Sequence, residues 1–145
     1  MSYQENSSSM NDQKNKSFTL SKTPEGITAS LLQHINSLDV DTMLGFYEED
    51  AAIINALGEP QQGHAMIGKE LEKYFSFKLP MQIKCRHLFC ADNVASLVLD
   101  WSIVGTAPDG SYVHLVGTAN DIARKGADGF WRYLIDNPFG TQVRL

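Results

Sequence analysis

A few polar residues of this 145-residue chain stand where apolar side chains are expected, and these could do chemistry. In "VHLVGTAND", strand alternation puts Val113, Leu115, Gly117, Ala119 and Asp121 on one face. A carboxylate that ends an apolar row must either find a cation or keep its proton. A carboxyl group kept protonated near neutral pH is a working acid. The other reading of Asp121 is a rim aspartate in water, or one capping a neighbouring backbone.

His34 lies on the helical stripe Ile27, Leu31, His34, Leu38. Histidine titrates near neutral pH, so a His34–Asp121 pair could relay a proton. A lone histidine on such a stripe is more often a satisfied core group. Asn55 follows Ile53 and Ile54 just ahead of Gly58 and Pro60, either as a turn residue or as a polar group at a pocket floor. "FWRYLIDNP" sets Phe130, Arg132, Leu134 and Asp136 on one face, and Trp131, Tyr133 and Ile135 on the other. Arg132 could pair with Asp121 and hold it ionised, pair with Asp136, hold an anionic substrate bidentately, or form an exposed ion pair.

No metal is expected. In "CRHLFC", Cys85 and His87 share a face, Cys90 comes out on the other, and no second cluster completes a ligand set. The chain has no P-loop, dinucleotide fingerprint or nucleophile elbow. Two cysteines are too few for a disulfide framework.

The elements that position these residues follow from composition and pattern. A 43% hydrophobic content supplies a core, and a net charge of −5 with a pI near 5.2 argues against nucleic acid and anionic membrane as partners. No apolar run approaches the roughly 20 residues that span a bilayer. The N-terminus lacks the basic start and apolar core of a signal peptide, so a cytoplasmic location is expected. Residues 1–22 hold six Ser, three Asn and two Gln, and read as a flexible polar tail before a single domain at 23–145.

Thr23-Pro24-Glu25 opens a first helix, Asp39 or Asp41 a short second one, and a third runs over roughly 64–76 with Ile67, Leu71, Tyr74 and Phe75 on one side. Four long strands follow. Asp92-Asn93, Pro108-Asp109-Gly110 and Asp128-Gly129 supply the turns between them. Helices first and an antiparallel meander after them make an α+β domain. Of Asp100 and Trp101, which alternate, either could face the interior.

"SLDVDTMLGFYEEDAAII", "QGHAMIGKELEKYF" and the closing "DGFWRYLIDNPFG" together resemble the NTF2-like superfamily, and within it SnoaL-like and ketosteroid-isomerase-like bacterial proteins, over roughly residues 25–140. The resemblance implies a cone: N-terminal helices packed on a strongly curved antiparallel sheet that encloses a pocket. It also implies a homodimer formed through the outer sheet face, where Trp131 and Tyr133 would lie, and chemistry without a cofactor. Carried over by position, the oxyanion tyrosine of the isomerases falls at His34, their protonated aspartate at Asp121, and their aspartate base at Asn55. A carboxamide cannot take a substrate proton at neutral pH, so ketosteroid isomerisation by that route is not expected.

The resemblance turns the Arg132 face inward. The expected ligand is a small apolar molecule bearing a carbonyl group. Asp121 and His34 are the candidate acid and base, while Asn55, Arg132 and Asp136 orient the ligand. Tyr47, Ile53, Ile67, Leu71, Phe75, Leu115 and Leu134 surround it. The alternative is a non-catalytic binding or dimerisation module, for which an Asp121–Arg132 ion pair would speak.

Overall fold

A computed structural model describes residues 18–140 together with Val143 and Leu145. A 3₁₀ turn at Pro24–Gly26 leads into α1 (Ile27–Ile35) and α2 (Val40–Leu44), then β1 (Tyr47–Ile54), β2 (Pro60–Gln62) and α3 (His64–Phe75). The remaining strands are β3 (Gln82–Ala91), β4 (Val94–Thr106), β5 (Tyr112–Lys125) and β6 (Trp131–Asp136). Residues 1–17 of the expected tail lie outside the described residues. Its last residues pack on the body: Ser30 Oγ donates to the Thr19 carbonyl, and the Trp131 N–H donates to the Ser21 carbonyl.

Local chemistry accounts for the helices. Asp39 caps α2, its carboxylate accepting the Thr42 N–H at 3.0 Å, which is worth about 1 kcal/mol. α1 buries Ile27, Leu31, His34 and Ile35, and α3 buries Ile67, Leu71 and Phe75, each a stripe at helical spacing.

The six strands run in the order β2-β1-β6-β5-β4-β3. From β3 to β6 the sheet is the expected antiparallel meander. Asp92 adopts φ 54° in the β3–β4 turn, as a two-residue mirror-image turn requires. β1, however, runs parallel to β6, so the sheet is mixed rather than purely antiparallel. These strands are far apart in sequence, and the long intervening chain permits a parallel pairing that a hairpin cannot make. The sheet is curved and unclosed, with the helices packed on it.

Burial alternates along β4, with Ala95, Leu97, Leu99, Trp101 and Ile103 inward. Trp101 therefore faces the interior. Asp100 faces out, held by Arg86 and by the Thr118 hydroxyl at 2.9 Å. The Trp101 ring lies directly over Gly117 of β5, where an added Cβ would stand 2.7 Å from indole atoms. The glycine in the apolar row is thus a close-approach position.

β6 departs from simple alternation, and this matters most for the site. Ile135 pairs with Ile122 and Tyr133 with Ala123, so two steps on β6 answer one on β5. Such a bulge at Leu134 shifts the parity of the strand. Trp131 and Tyr133 point inward and are 2% and 0% exposed, the reverse of the outer-face placement that the resemblance implied. Arg132 turns outward to Asp128, with Nη2–Oδ2 at 2.8 Å. Beyond the bulge Asp136 returns to the interior.

Candidate functional site

Between α1, α3 and the inner sheet face lies a cavity lined by Leu31, Ile35, Ile53, Leu71, Leu99, Trp101 and their neighbours, almost wholly apolar. The enclosed cavity is about 40 Å³, a narrow space when one water needs about 10–15 Å³. Two carboxyl groups enter it, Asp121 from β5 and Asp136 from the end of β6.

Each carboxyl is held by a tyrosine. Tyr133 Oη donates to Asp121 Oδ2 at 2.8 Å, and Tyr47 Oη donates to Asp136 Oδ2 at 2.5 Å. The Asn137 N–H adds a bond to Asp121 Oδ1 at 2.7 Å. The two carboxyls are close enough that the charge of Asp136 opposes ionisation of Asp121. Asp121 is 2% exposed, while Asp136 is half-buried as a residue with its carboxyl on the enclosed side.

Burial raises the pKa of Asp121 far above the ordinary carboxylate value, and the negative Asp136 adds to this. The Asn137 and Tyr133 bonds oppose the shift without reversing it. Burial likewise lifts Asp136 from 3.8 to about 6, against the Tyr47 and Asp121 hydrogen bonds that favour its anion. Tyr47 and Tyr133 are pushed well up by burial and by the adjacent carboxyls, so both remain donors. Ionisation of one carboxyl therefore opposes ionisation of the other, and the two titrate as a pair. Among the described residues no lysine or arginine forms an ion pair with it; the cations paired are Lys73 with Glu70, Arg86 with Asp100, Arg124 with Glu48 and Arg132 with Asp128.

The structure gathers only some of the residues singled out in the sequence. Asp121, Asp136, Ile53 and Leu71 line the cavity, and Tyr47 stands behind it as the donor to Asp136. His34 is buried but off the cavity, its Nδ1–H donating to the Ser30 carbonyl at 2.6 Å and its ring against Phe46 at 5.2 Å. Burial lowers its pKa, so the imidazole is neutral. It makes no hydrogen bond to Asp121, and the expected pair is absent.

Asn55 proves to be the turn residue. Its Oδ1 accepts the N–H groups of Leu57 and Glu59, closing the β1–β2 connection away from the cavity. Arg132 and Leu134 are carried off the lining by the bulge. Ile67 is fully buried in the core, Phe75 lines a smaller neighbouring void, and Leu115 packs at the edge of the core. Tyr133, Trp101 and Tyr74 line the cavity without having been marked as site residues. The signal for Tyr133 was present: Trp131 and Tyr133 alternate with a charged Arg132, and the aromatic pair has the stronger claim to the core.

No group of three or more His, Cys, Asp or Glu side chains that could hold a metal occurs among the described residues, and no helix there is long and apolar enough to cross a membrane.

No family model matches the chain, and no curated protein matches it. Solved structures match its fold. A ketosteroid isomerase-like protein from Erwinia carotovora atroseptica aligns with TM-score 0.66 and 14% identity over 78% of this chain and 89% of its own. An NTF2-like superfamily protein from Salmonella enterica gives TM-score 0.63 and 19% identity over 82% and 90%. SalBIII, an epoxide hydrolase/cyclase-like enzyme of pyran ring formation in the polyether salinomycin, gives 0.59 and 18% over 80% and 88%. At these identities the likeness is one of fold, and the fold is NTF2-like.

Proposed function

We propose, on the premise of the NTF2-like fold, that this protein binds a small apolar molecule bearing a carbonyl group and performs cofactor-independent acid/base chemistry on it, of the isomerase or lyase kind. The observation that carries the reading is that the Asp121 and Asp136 carboxyls both enter one apolar cavity, with no ion-pairing lysine or arginine among the described residues. A protonated and an ionised carboxyl side by side supply a donor and an acceptor at once, each of the kind that burial tunes toward neutral pH.

Asp121 is the acid and donates to the carbonyl oxygen. Asp136 replaces His34 as the base and takes the proton on the adjacent carbon. Tyr47 and Tyr133 hold the two carboxyls, and Ile53 and Leu71 contact the apolar body of the ligand. That a fold neighbour is an epoxide hydrolase/cyclase-like enzyme supports a catalytic use of the fold.

The narrowness of the cavity favours the second reading, a non-catalytic binding or dimerisation module. Dimerisation through the outer sheet face belongs to the proposal as well. That face exposes Phe89, Val104, Tyr112 and Val116 in place of the aromatic pair first assigned to it, and sedimentation of the wild type against Val116→Lys tests it.

The chemistry is tested with α-tetralone in deuterated buffer. NMR reads binding to the protein and the exchange of the protons next to the carbonyl. Binding with exchange that Asp136→Asn abolishes supports the enzyme. Binding without exchange supports the module, and absence of binding refutes the ligand class.

A further inference from the structure

Among the polar side chains that line the cavity, most are committed to the protein. Asp121 accepts from Tyr133, Asp136 accepts from Tyr47, and Trp101 Nε1 donates to the Pro138 carbonyl at 2.7 Å. Tyr74 of α3 is the exception. It lines the cavity, its ring meets Trp101 edge-on at 6.2 Å between centroids, and its hydroxyl has no hydrogen-bond partner among the described residues. Glu70, one turn earlier on the same helix, is taken by Lys73 at 3.0 Å. Tyr74 is half-buried on the side of α3 that meets the cavity.

We infer that Tyr74 is the second recognition point of the cavity, its hydroxyl donating to an additional acceptor oxygen on a ligand whose carbonyl lies at the Asp121–Asp136 pair. The inference rests on the proposed ligand class and deepens it: the preferred molecules carry a second acceptor oxygen on the apolar frame. Tyr74 suits the role because burial, with Asp136 and Glu70 nearby, holds its pKa well up, and the phenol is a donor at every working pH. Aromatic contact with Trp101 fixes the ring, so little rotamer freedom is lost on binding. Tyr74 is a binding and orienting residue here, and the proton transfers stay with the carboxyls.

The test compares α-tetralone with its ring-methoxylated isomers, which add one acceptor oxygen at different positions on the same frame. Dissociation constants are measured by tryptophan fluorescence and NMR for the wild type and for Tyr74→Phe, which keeps the ring against Trp101. One methoxy isomer is expected to bind the wild type more tightly than the parent ketone, by the roughly two- to tenfold of one net hydrogen bond. Tyr74→Phe should erase that preference while leaving the affinity for the parent unchanged. A preference that survives the substitution, a uniform weakening of all ligands, or no preference in the wild type overturns the role of Tyr74 alone. Failure of every tetralone to bind overturns the proposed ligand class, and the inference with it.

Discussion

Replacing Asp136 by Asn removes the charge from the carboxyl pair while nearly preserving its shape. The amide oxygen can still accept from Tyr47, and the amide nitrogen can donate to Asp121. In the folded wild type the pKa of Asp136 is raised from 3.8 to about 6. Between those values the folded state holds more protons than the unfolded one, so stability falls as pH rises. The contribution is fully present below about pH 3.8 and is lost by the time pH passes about 6. A shift of about two units corresponds to about 3 kcal/mol.

Asp121→Asn at the neighbouring position would not isolate this effect, because its own raised pKa acts in the same direction. His34 works the other way. Its lowered pKa makes the unfolded state the better proton binder, so its contribution is lost as pH falls. The difference between Asp136→Asn and wild type cancels His34 and the surface carboxylates, while loss of the Asp136 charge also eases ionisation of Asp121, a change in the same direction. Urea unfolding across pH 4 to 7 should show the variant gaining on wild type by up to about 3 kcal/mol, or a midpoint shift of about 1.5 M at an m-value of about 2 kcal/mol/M. A difference that stays flat across this range, or that grows toward acid pH, would refute the buried carboxyl pair.

Other substitutions test its surroundings. Tyr47→Phe removes a donor that favours the Asp136 anion, so the apparent pKa should climb above about 6, as carboxyl NMR would read. The lost bond to a charged group should cost roughly 1.5–3 kcal/mol at neutral pH in urea unfolding. Gly117→Ala drives a methyl group into the Trp101 ring, for an expected loss of about 1–3 kcal/mol and an altered near-UV tryptophan signal. Arg132→Ala breaks only a surface pair with Asp128, and should leave both ligand binding and the titration of the carboxyl pair unchanged.

Much of the fold could be read in the sequence because its signals are local. The stripe of α1 as far as His34, the stripe of α3, the Asp39 cap and the Asp92-Asn93 turn each depend on residues a few positions apart and appear in the structure. Leu38 instead lies past the end of α1 at φ 55°. The parallel β1–β6 pairing could not be read, since it joins segments some eighty residues apart that no local rule links. In the candidate site, the apolar row of β5 led directly to Asp121. The resemblance turned the Arg132 face inward and alternation then put Tyr133 outward, which holds only for an unbroken strand, and this one carries a bulge. A bulge is decided by pairing with the neighbouring strand, so the parity of a lone strand does not reveal it. Asn55 illustrates the other failure: its position by resemblance suggested a pocket, while Gly58 and Pro60 just beyond it already marked a turn.

The most direct test is a carbon-13 titration of the Asp121 carboxyl, in the wild type and in Arg132→Ala. Asp121 is expected to stay protonated far above the ordinary carboxylate value, identically in both proteins. An Asp121 that ionises at or below 3.8, or whose titration moves when Arg132 is removed, would contradict the uncompensated pair on which the proposed chemistry depends.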